Sequence, residues 1–511
     1  MNKVLLIFLF IFFFTLPLFA QSVDTAWVRR YNGPGNTSDW PSAIAVDASC
    51  NVYVTGTSYK TSEKYYATIK YYPSGDTAWV RRYNGPGNDE DWALAIAVDD
   101  SSYVYVTGWS SGNGTSTDYA TIKYDAFGNE LWVMRYNGLG NGEDVAWAME
   151  VNASSNVYVT GKSEGSGTSY DFTTIRYYPN GDTAWVRRYN GPGNDYDWAL
   201  AIAVDDFGNV YVTGRSYGSG TYEDYATIRY DSSANELWVQ RYNGPGNGWD
   251  EASDIAVDGS GNVYVTGGSV GAGTAEDYAT IRYYPSGDTA WVRRYNGPGN
   301  DEDWAFDVEV DGSGNVYVTG RSHGGETYID YATIKYDSSG NELWIKRYSG
   351  PGAAWDGACA IEVDVYGNVY VTGQSYGDGT YNDYATIKYD SLGNEVWVKK
   401  YDGPVSGIDV GRDMALDSSD NVYVTGFSQD SWTACDYATI KYVQFLRGDV
   451  NADGVVDIGD VVYLINYLYR DGPPPVPISQ VGDVNCDGVV DLGDVLYLIN
   501  YLYKNGPPPC S

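Results

Sequence analysis

Val210-Tyr211-Val212-Thr213-Gly214 is one of eight copies of the same pentapeptide, and the spacing of these copies decides the fold. Neighbouring copies are 53 residues apart in six cases and 52 residues apart in one. A period this regular predicts one supersecondary unit repeated in register along most of the chain. The copies begin at Val52, Val104, Val157, Val210, Val263, Val316, Val369 and Val422.

Each repeat contains four short segments in which apolar and polar residues alternate. In the fourth copy these segments are 201–205, 209–214, 225–230 and 237–242. They are rich in Val, Ile, Thr, Tyr and Trp and are bounded by Gly, Asn, Asp and Ser, which is typical of β-strands joined in hairpins. Four strands in a unit of this length predict the blade of a β-propeller.

The strand that contains a Trp indicates how the ring closes. Its first copy, around Trp27, precedes every other strand of its unit, and the last complete unit ends at Tyr442 without a Trp strand. We therefore expect the segment around Trp27 to supply the outer strand of the last blade, because closure removes an exposed sheet edge. The prediction is an all-β, eight-bladed propeller over residues 22–444, with seven blades as the alternative.

The repeats follow the consensus GNVYVTGxSxGxGTxxDYATIKYDxxGNELWVxRYNGPGN, with substitutions in every copy. This pattern resembles the bacterial β-propeller repeat family called SBBP. The resemblance covers residues 22–444 and implies the propeller fold, but it implies no particular activity.

The N-terminal segment predicts export. Met1-Asn2-Lys3 is followed by an apolar run from Val4 to Ala20. This pattern is typical of a secretory signal peptide, residues 1–20, with an uncleaved membrane anchor as the alternative. Since no other stretch is apolar over a bilayer-spanning length, we expect a secreted protein that is extracellular or associated with the cell surface.

Charge and cysteine usage narrow the function classes. The formal net charge of −35 argues against binding to nucleic acids or anionic membranes.

Cys50, Cys359 and Cys435 stand singly in different repeats, so we expect them to be unpaired. Cys486 and Cys510 both lie near the C-terminus and are the candidate disulfide pair. The strand Arg and Lys residues are expected to be solvated or to pair across strands.

Two of the four connections in each repeat are expected to be long loops. In the fourth copy they are 216–224 and the stretch that begins at 243, whereas 205–209 and 230–236 are tight turns. Alternate connections of an up-and-down blade lie on one rim, so both long loops fall on the same face. Loops carry most binding functions, and this long-loop face is therefore the expected surface for a protein or glycan ligand.

Each long loop ends with an aspartate, and two interpretations remain open. Each aspartate accepts backbone N–H groups and fixes its own loop, or the aspartates together form a ring that binds cations or a cationic partner. The first set is Asp39, Asp91, Asp144, Asp197, Asp250, Asp303, Asp356 and Asp409. The second set is Asp118, Asp171, Asp224, Asp277, Asp330, Asp383 and Asp436, with Tyr65 in the first copy.

Catalytic chemistry has little support in the sequence. The single histidine, His323, has no counterpart in the other repeats. The chain has no phosphate loop or His-rich metal cluster. We therefore expect a protein that is not an enzyme and has no catalytic residues.

A second duplication follows the repeats, and it predicts calcium binding. The stretch 448–460 recurs as 482–494, and each copy places oxygen-bearing residues at positions 1, 3, 5, 9 and 12 of a loop with Gly at position 6. This is the spacing of an EF-hand calcium loop, in which position 7 contributes its backbone carbonyl. The predicted ligands are Asp449, Asn451, Asp453, Val455, Asp457 and Asp460 for one ion, and Asp483, Asn485, Asp487, Val489, Asp491 and Asp494 for a second.

Each loop runs into one apolar helix and then into Gly-Pro-Pro-Pro. Two such half-hands over residues 448–511 resemble a type I dockerin domain, which implies a cohesin-like or cell-surface protein partner. Dockerins often carry a hydroxyl in the two residues after position 9, whereas this chain has Ile458-Gly459 and Leu492-Gly493. The resemblance therefore implies calcium binding but does not imply docking to a cellulosomal cohesin. The near-identity of the two halves suggests that either helix presents the same face.

Together these features predict a secreted, non-catalytic binding or scaffold protein. The propeller would present an interaction surface, and the calcium-dependent dockerin-like module would attach the chain to a partner. The alternative is a carbohydrate-binding or accessory component of an extracellular polysaccharide-degrading complex.

Overall fold

The computed structural model describes residues 22–510 except 61, 62, 353, 378, 432, 433, 454 and 505. The predicted signal peptide, residues 1–20, lies outside the described residues. The described chain divides into two compact units, one formed by Thr25–Tyr442 and one that includes 443–510.

The first unit is built from antiparallel strands with short connections. β1 (Ser22–Tyr31) begins the described chain. The strands of blades 1 to 4 follow as β2 (Asp39–Val46), β3 (Val52–Lys60), β4 (Glu63–Tyr71), β5 (Thr77–Tyr83); β6 (Asp91–Val98), β7 (Val104–Ser111), β8 (Thr117–Tyr124), β9 (Glu130–Tyr136); β10 (Asp144–Val151), β11 (Val157–Glu164), β12 (Tyr170–Tyr177), β13 (Thr183–Tyr189); β14 (Asp197–Val204), β15 (Val210–Tyr217), β16 (Glu223–Tyr230) and β17 (Glu236–Tyr242).

Blades 5 to 8 continue the same order. Their strands are β18 (Asp250–Val257), β19 (Val263–Val270), β20 (Glu276–Tyr283), β21 (Thr289–Tyr295); β22 (Asp303–Val310), β23 (Val316–His323), β24 (Ile329–Tyr336), β25 (Glu342–Tyr348); β26 (Gly357–Val363), β27 (Val369–Tyr376), β28 (Asn382–Tyr389), β29 (Glu395–Tyr401); β30 (Asp409–Leu416), β31 (Val422–Ser431) and β32 (Ala434–Phe445). Within the described residues these strands form eight four-stranded sheets. The predicted eight-bladed propeller is therefore confirmed, and the seven-bladed alternative is wrong.

Blade 8 shows how the ring closes. Its strand order is β1-β32-β31-β30, so the N-terminal strand forms its outer edge, as predicted. The Trp27 side chain is 7% exposed, and its indole N–H donates to the carbonyl of Pro73 in blade 1 at 3.1 Å. The Arg30 guanidinium reaches the Asp436 carboxylate on β32 at 3.2 Å. Closure therefore rests on side-chain contacts to two blades as well as on strand pairing.

The second strand of each blade carries the repeated pentapeptide and lies in the core. Val210, Tyr211 and Val212 are fully buried, because both faces of this strand are covered by neighbouring blades. Blades are also joined by buried hydrogen bonds: the Tyr225 hydroxyl donates to the carbonyl of Ala279 in the next blade at 3.1 Å. The first strands of successive blades contact one another in a closed ring, so they surround the axis of the propeller.

The structure corrects one of the two predicted long loops. β15 continues to Tyr217 and β16 begins at Glu223, so their connection is 218–222, no longer than the turns at 205–209 and 231–235 on the other face. Pairing extends this far because Ser216 lies opposite Asp224, and Tyr217 opposite Glu223. The connection between blades, 243–249, remains the longer one.

The second unit contains two helices that match the predicted ones. They are α1 (Ile458–Tyr469) and α2 (Leu492–Lys504), and a single 3₁₀ turn lies between them at Ser479–Gly482. Val461 and Leu464 of α1 pack with Val495 and Leu498 of α2 in one apolar core. The Cys486–Cys510 disulfide joins the second loop to the C-terminal segment, which confirms the candidate pair. Among the described residues, Cys50, Cys359 and Cys435 are free thiols, as expected.

Candidate calcium loops and interaction surfaces

The first predicted calcium loop folds back on itself ahead of α1. The backbone N–H of Asp453 donates to carboxylate Oδ1 of Asp449 at 3.0 Å and to amide Oδ1 of Asn451 at 2.9 Å. The N–H of Val455 in turn donates to Oδ1 of Asp453 at 3.0 Å. These bonds bring the side-chain oxygens of positions 1, 3 and 5 around one turn. The Gly454 of position 6 lies outside the described residues.

The second loop repeats this arrangement residue for residue. The N–H of Asp487 donates to Oδ1 of Asp483 at 3.1 Å and to Oδ1 of Asn485 at 2.9 Å. The N–H of Val489 donates to Oδ1 of Asp487 at 2.9 Å. Gly488 at position 6 has φ +90°, a left-handed conformation that favours glycine. Identical local geometry in both copies indicates that the loop sequence itself specifies the turn.

Position 12 of each loop links the loop to its helix. Asp460 is fully buried and accepts the N–H of Val450 at 2.8 Å on one carboxylate oxygen and the N–H of Asp457 at 2.8 Å on the other. Asp457 caps α1 by accepting the N–H of Gly459 at 2.5 Å. Asp494 and Asp491 repeat these contacts ahead of α2. The two position-12 carboxylates therefore fix where each helix begins.

The chemistry of these side chains fits calcium. Burial, together with the nearby charge of Asp449, raises the pKa of Asp460 to about 6, although its backbone hydrogen bonds act the other way. No Lys or Arg of the described chain is ion-paired with Asp453, Asp457 or Asp460. A cluster of oxygen ligands without a cationic side chain suits a hard divalent cation that takes six to eight oxygens. Calcium bound there would supply the missing positive charge.

Each helix also presents an exposed apolar stripe. Ile458, Val462 and Tyr469 of α1 are 50%, 51% and 62% exposed. Leu492, Leu496 and Tyr503 are 49%, 53% and 63% exposed and occupy the equivalent positions of α2. Residues four and eleven positions apart fall on one side of a helix. The second unit thus has two matching apolar faces, which we call the α1 stripe and the α2 stripe.

On the long-loop face of the propeller, the first set of aspartates fixes loops. All eight are fully buried. Each accepts the N–H of a glycine six residues earlier, at 2.5 to 2.9 Å. Burial raises the pKa of these carboxyls, to about 6 at Asp197. The loop-fixing interpretation is therefore confirmed for this set.

The second set of aspartates has a different role from the one expected. Instead of backbone N–H groups, most of these carboxylates bind the guanidinium of an arginine on the outer strand of the same blade. The pairs are Asp118–Arg135 at 2.8 Å, Asp171–Arg188 at 2.9 Å, Asp224–Arg241 at 2.8 Å, Asp277–Arg294 at 2.8 Å, Asp330–Arg347 at 2.6 Å and Asp436–Arg30 at 3.2 Å. The expectation of solvated strand cations is also wrong for Lys70, which is 6% exposed and donates to the carbonyl of Ala126 at 3.2 Å.

A ligand-sized cavity lies where the first strands begin, at the long-loop end of the propeller axis. Its volume is about 410 Å³. Trp40, Trp92, Trp147 and Phe306 supply aromatic walls from four different blades, and Arg412 adds one cation. We call this cavity the axial pocket.

Sequence reasoning missed a group of carboxylates on the inner strands. Opposite the Thr of the pentapeptide, Asp254, Asp307 and Asp413 stand where five other blades have Ala. Each accepts a backbone N–H of another blade; Asp413, for example, accepts that of Ile44 at 2.8 Å. Burial raises the pKa of Asp413 to about 7. The replacement of Ala by Asp at this repeat position was the signal in the sequence. These aspartates bridge the inner strands of neighbouring blades.

Comparison with protein families agrees with both duplications. The model described as a dockerin type I domain matches residues 447–503. The SBBP model, described as a beta-propeller repeat, matches 26–61, 78–114, 184–220 and 237–271.

Solved structures resemble the propeller in fold alone. The crystal structure of Sqt1 from Chaetomium thermophilum has a TM-score of 0.53 at 10% identity, covering 83% of this chain and 100% of that chain. The same protein bound to the N-terminus of the ribosomal protein L10 has a TM-score of 0.52 with the same coverage.

An uncharacterized WD repeat-containing protein of Acanthamoeba polyphaga mimivirus is 24% identical over 481 residues, which is 80% of this chain but only 31% of that protein. The chain thus spans about a third of this curated relative.

Over its described residues, the chain contains no helix with the length and apolar character needed to cross a membrane. The family matches fall on the same two stretches as the propeller blades and the paired loop–helix units. This chain therefore combines SBBP-type beta-propeller repeats with a C-terminal type I dockerin domain.

Proposed function

We propose that the chain is an exported, non-catalytic adaptor. In this proposal residues 1–20 are a cleaved signal peptide, residues 22–444 present an interaction surface, and residues 448–511 bind a cohesin-type protein partner. The twelve predicted ligands of the two loops hold two calcium ions. A dockerin domain implies a cohesin-type partner. The signal peptide, the interaction surface of the propeller and the twelve calcium ligands are part of this proposal.

The duplicated apolar stripe is the observation that carries this proposal. Side chains such as Val462 and Leu496 remain about half exposed although a well-packed core lies directly beneath them. Exposed apolar patches on small domains mark contact surfaces. The stripes begin at Ile458 and Leu492, directly after loop position 9, so calcium binding and partner binding share the same segments. An apolar partner surface fits these positions better than one that requires hydroxyl groups.

Single substitutions in one stripe are expected to leave partner binding nearly intact, whereas a double substitution should abolish it. V462D disables the α1 stripe and L496D disables the α2 stripe, and each single variant retains the other face. Loss of both faces should weaken binding by at least about 100-fold, since burying an unpaired carboxylate at an interface costs several kcal/mol. The measurement is biosensor affinity for a panel of type I cohesin domains in calcium.

The control is the double variant L139D and V365D, which places the same charge change on exposed apolar residues of the propeller, 70% and 91% exposed. It should bind cohesin domains like the unmodified chain. If the V462D and L496D double variant binds as well as this control, the stripes do not form the partner surface. Failure of the unmodified chain to bind any cohesin domain in the panel would count against the proposal as a whole.

The axial pocket favours a second candidate function, sugar binding in a polysaccharide-degrading complex. Trp40, Trp92 and Trp147 offer indole faces, which can stack on the apolar faces of pyranose rings, and Arg412 offers donors to hydroxyl or carboxylate groups. A volume of about 410 Å³ accommodates a short oligosaccharide end.

On a glycan array, the full chain is expected to bind one class of polysaccharide fragment. Replacement of Trp92 and Trp147 by Ala should reduce that binding by at least about 10-fold, because it removes two stacking surfaces. Replacement of Trp249, an exposed loop residue outside the pocket, serves as the matched control. An array without a hit, or a W249A variant that loses as much binding as the pocket variant, would argue against this candidate.

A further inference from the structure

The junction between blades 7 and 8 departs from the charge pattern of the other junctions. In six blades a buried aspartate of the third strand is neutralised by an arginine of the outer strand, just before the connection to the next blade. Asp330–Arg347 is one such pair. In blade 7 the equivalent residues are Asp383 and Lys400. The Lys400 ammonium donates to the Ser375 hydroxyl at 3.2 Å, and no ion pair within 4.0 Å joins it to Asp383 in the described chain.

The same junction gains a third carboxylate. Asp402 follows the outer strand at a position where the other repeats have Asn32, Asn84, Asn137, Asn190, Asn243, Asn296 and Ser349. Asp402 is exposed and accepts the Ser406 hydroxyl at 2.9 Å. The loss of an arginine and the gain of an aspartate therefore fall at one place in the fold, and this place carries one more negative charge than each of the six places with an Asp–Arg pair.

The three carboxylates converge. Asp383, Asp402 and Asp409 each place a carboxylate oxygen within 4.8 Å of the other two. Oxygen ligands of one calcium ion lie 2.3–2.6 Å from the metal and hence at most about 5 Å from one another. The spacing is thus the one that a shared divalent cation requires.

Asp383 has no ion-pair partner within 4.0 Å among the described residues, and the charge of Lys400 acts on it only from farther away. Asp383 is 5% exposed, and its Oδ2 accepts only the Thr380 hydroxyl at 3.1 Å. Its Oδ1 is fully enclosed and has no hydrogen-bond donor among the described residues. The same oxygen is enclosed in the arginine-paired aspartates, so the missing guanidinium is what distinguishes Asp383. Burial and the nearby Asp402 raise the pKa of Asp383 to about 6.

We propose that Asp383, Asp402 and Asp409 bind one divalent cation, with the oxygen-ligand chemistry of calcium, between blades 7 and 8. Asp409 is fully buried, and its Oδ2 already holds the N–H of Gly403 at 2.8 Å, so the cation would join the loop at 402–408 to blade 7. Lys400 repels the cation with one positive charge, against three negative charges that attract it. Its ammonium donates a hydrogen bond to the Ser375 hydroxyl. The exposed Asp402 leaves an entry path from solvent.

The test counts calcium ions on the full chain. Metal-free protein is dialysed against about 1 mM calcium chloride, a concentration that fills weak extracellular sites, and bound calcium per chain is measured by elemental analysis. The double variant K400R and D402N restores the residues of the other junctions and is expected to bind one ion fewer than the unmodified chain. Ions in the two dockerin loops are present in both proteins and cancel from the difference.

D402N alone decides the outcome if the double variant does not fold, and it should also lose one ion. N243D is the matched control, because it adds a carboxylate at a junction where Arg241 still neutralises Asp224, and it should gain none. Equal calcium counts for the unmodified chain and D402N would overturn the proposal. It would also be overturned if N243D gained an ion, since a third carboxylate would then suffice without the loss of the arginine.

Discussion

Deletion of residues 22–31 from the full chain is expected to abolish cooperative unfolding of the propeller and to produce aggregates. The deletion removes β1, the outer strand of blade 8, and uncovers the edge of β32. It also removes the buried Trp27 and the Arg30–Asp436 ion pair. Loss of a buried Trp alone costs about 3–5 kcal/mol, and removal of a partner from a buried ion pair costs about as much. Together these losses approach the whole stability of a folded domain, about 5–15 kcal/mol.

Size-exclusion chromatography and thermal unfolding measure this effect. A synthetic peptide of residues 22–32, added in trans, should restore monomeric protein and a cooperative transition. The same peptide with Trp27 replaced by Asp should restore neither, because it cannot bury its side chain between blades. A deletion variant that stays monomeric and unfolds at the temperature of the full chain would show that β1 is not required for closure.

A pair of single substitutions separates closure from ordinary packing. Trp27→Ala and Trp238→Ala remove the same side chain, and both indoles donate to a Pro carbonyl of the next blade, at 3.1 and 3.2 Å. The strand of Trp238, β17, directly follows in the chain the strand β16 with which it pairs, whereas the strand of Trp27, β1, pairs with β32 from the other end of the propeller sequence. W27A should therefore lower the unfolding midpoint more than W238A, since only the closing strand gains the freedom to detach.

The sequence predicted the propeller because its information is repeated eight times. The period gave the blades, and the position of Trp27 before its own unit gave the closure that β1 and β32 confirm. Features that depend on one residue per blade were harder to predict. The Asp118–Arg135 ion pair joins residues 17 positions apart across two strands, and this pairing follows only once the register is known.

Loop length was wrong for a related physical reason. Ser216 and Asp224 bound the predicted loop, yet they pair with each other in the ladder, and Arg241 donates hydrogen bonds to both side chains. A buried ion pair thus replaces the apolar contacts that normally identify a strand. In the second unit the calcium-loop spacing predicted the turns, and the apolar residues after each loop predicted the helices. The placement of Cys486 and Cys510 in that unit made them a candidate pair, which the structure joins in a disulfide.

Removal of calcium from the full chain empties both loops and is expected to destabilise both helices, α1 more than α2, and so to abolish binding to a cohesin-type partner. Without a cation, the carboxylates of Asp449, Asp453 and Asp457 repel one another on one short loop. An ion that is saturating at about 100 times its dissociation constant stabilises the folded state by about 2.7 kcal/mol. Chelation should therefore increase amide hydrogen exchange in α1 by about 100-fold, as measured by mass spectrometry on peptides from residues 458–469. Exchange that is the same with calcium and with chelator would contradict this prediction.

The two halves of the dockerin domain should not respond equally. Cys486 lies within the second loop and is joined to Cys510 beyond α2, which closes this half covalently and limits the freedom of its unfolded chain. The first half has no such constraint among its described residues. D460N, which weakens the first loop, should therefore increase exchange in α1 more than D494N increases exchange in α2, and D471N, an exposed acid outside both loops, should change neither. Reduction of the disulfide should remove the difference between the two variants, because the halves are otherwise built from the same loop and helix.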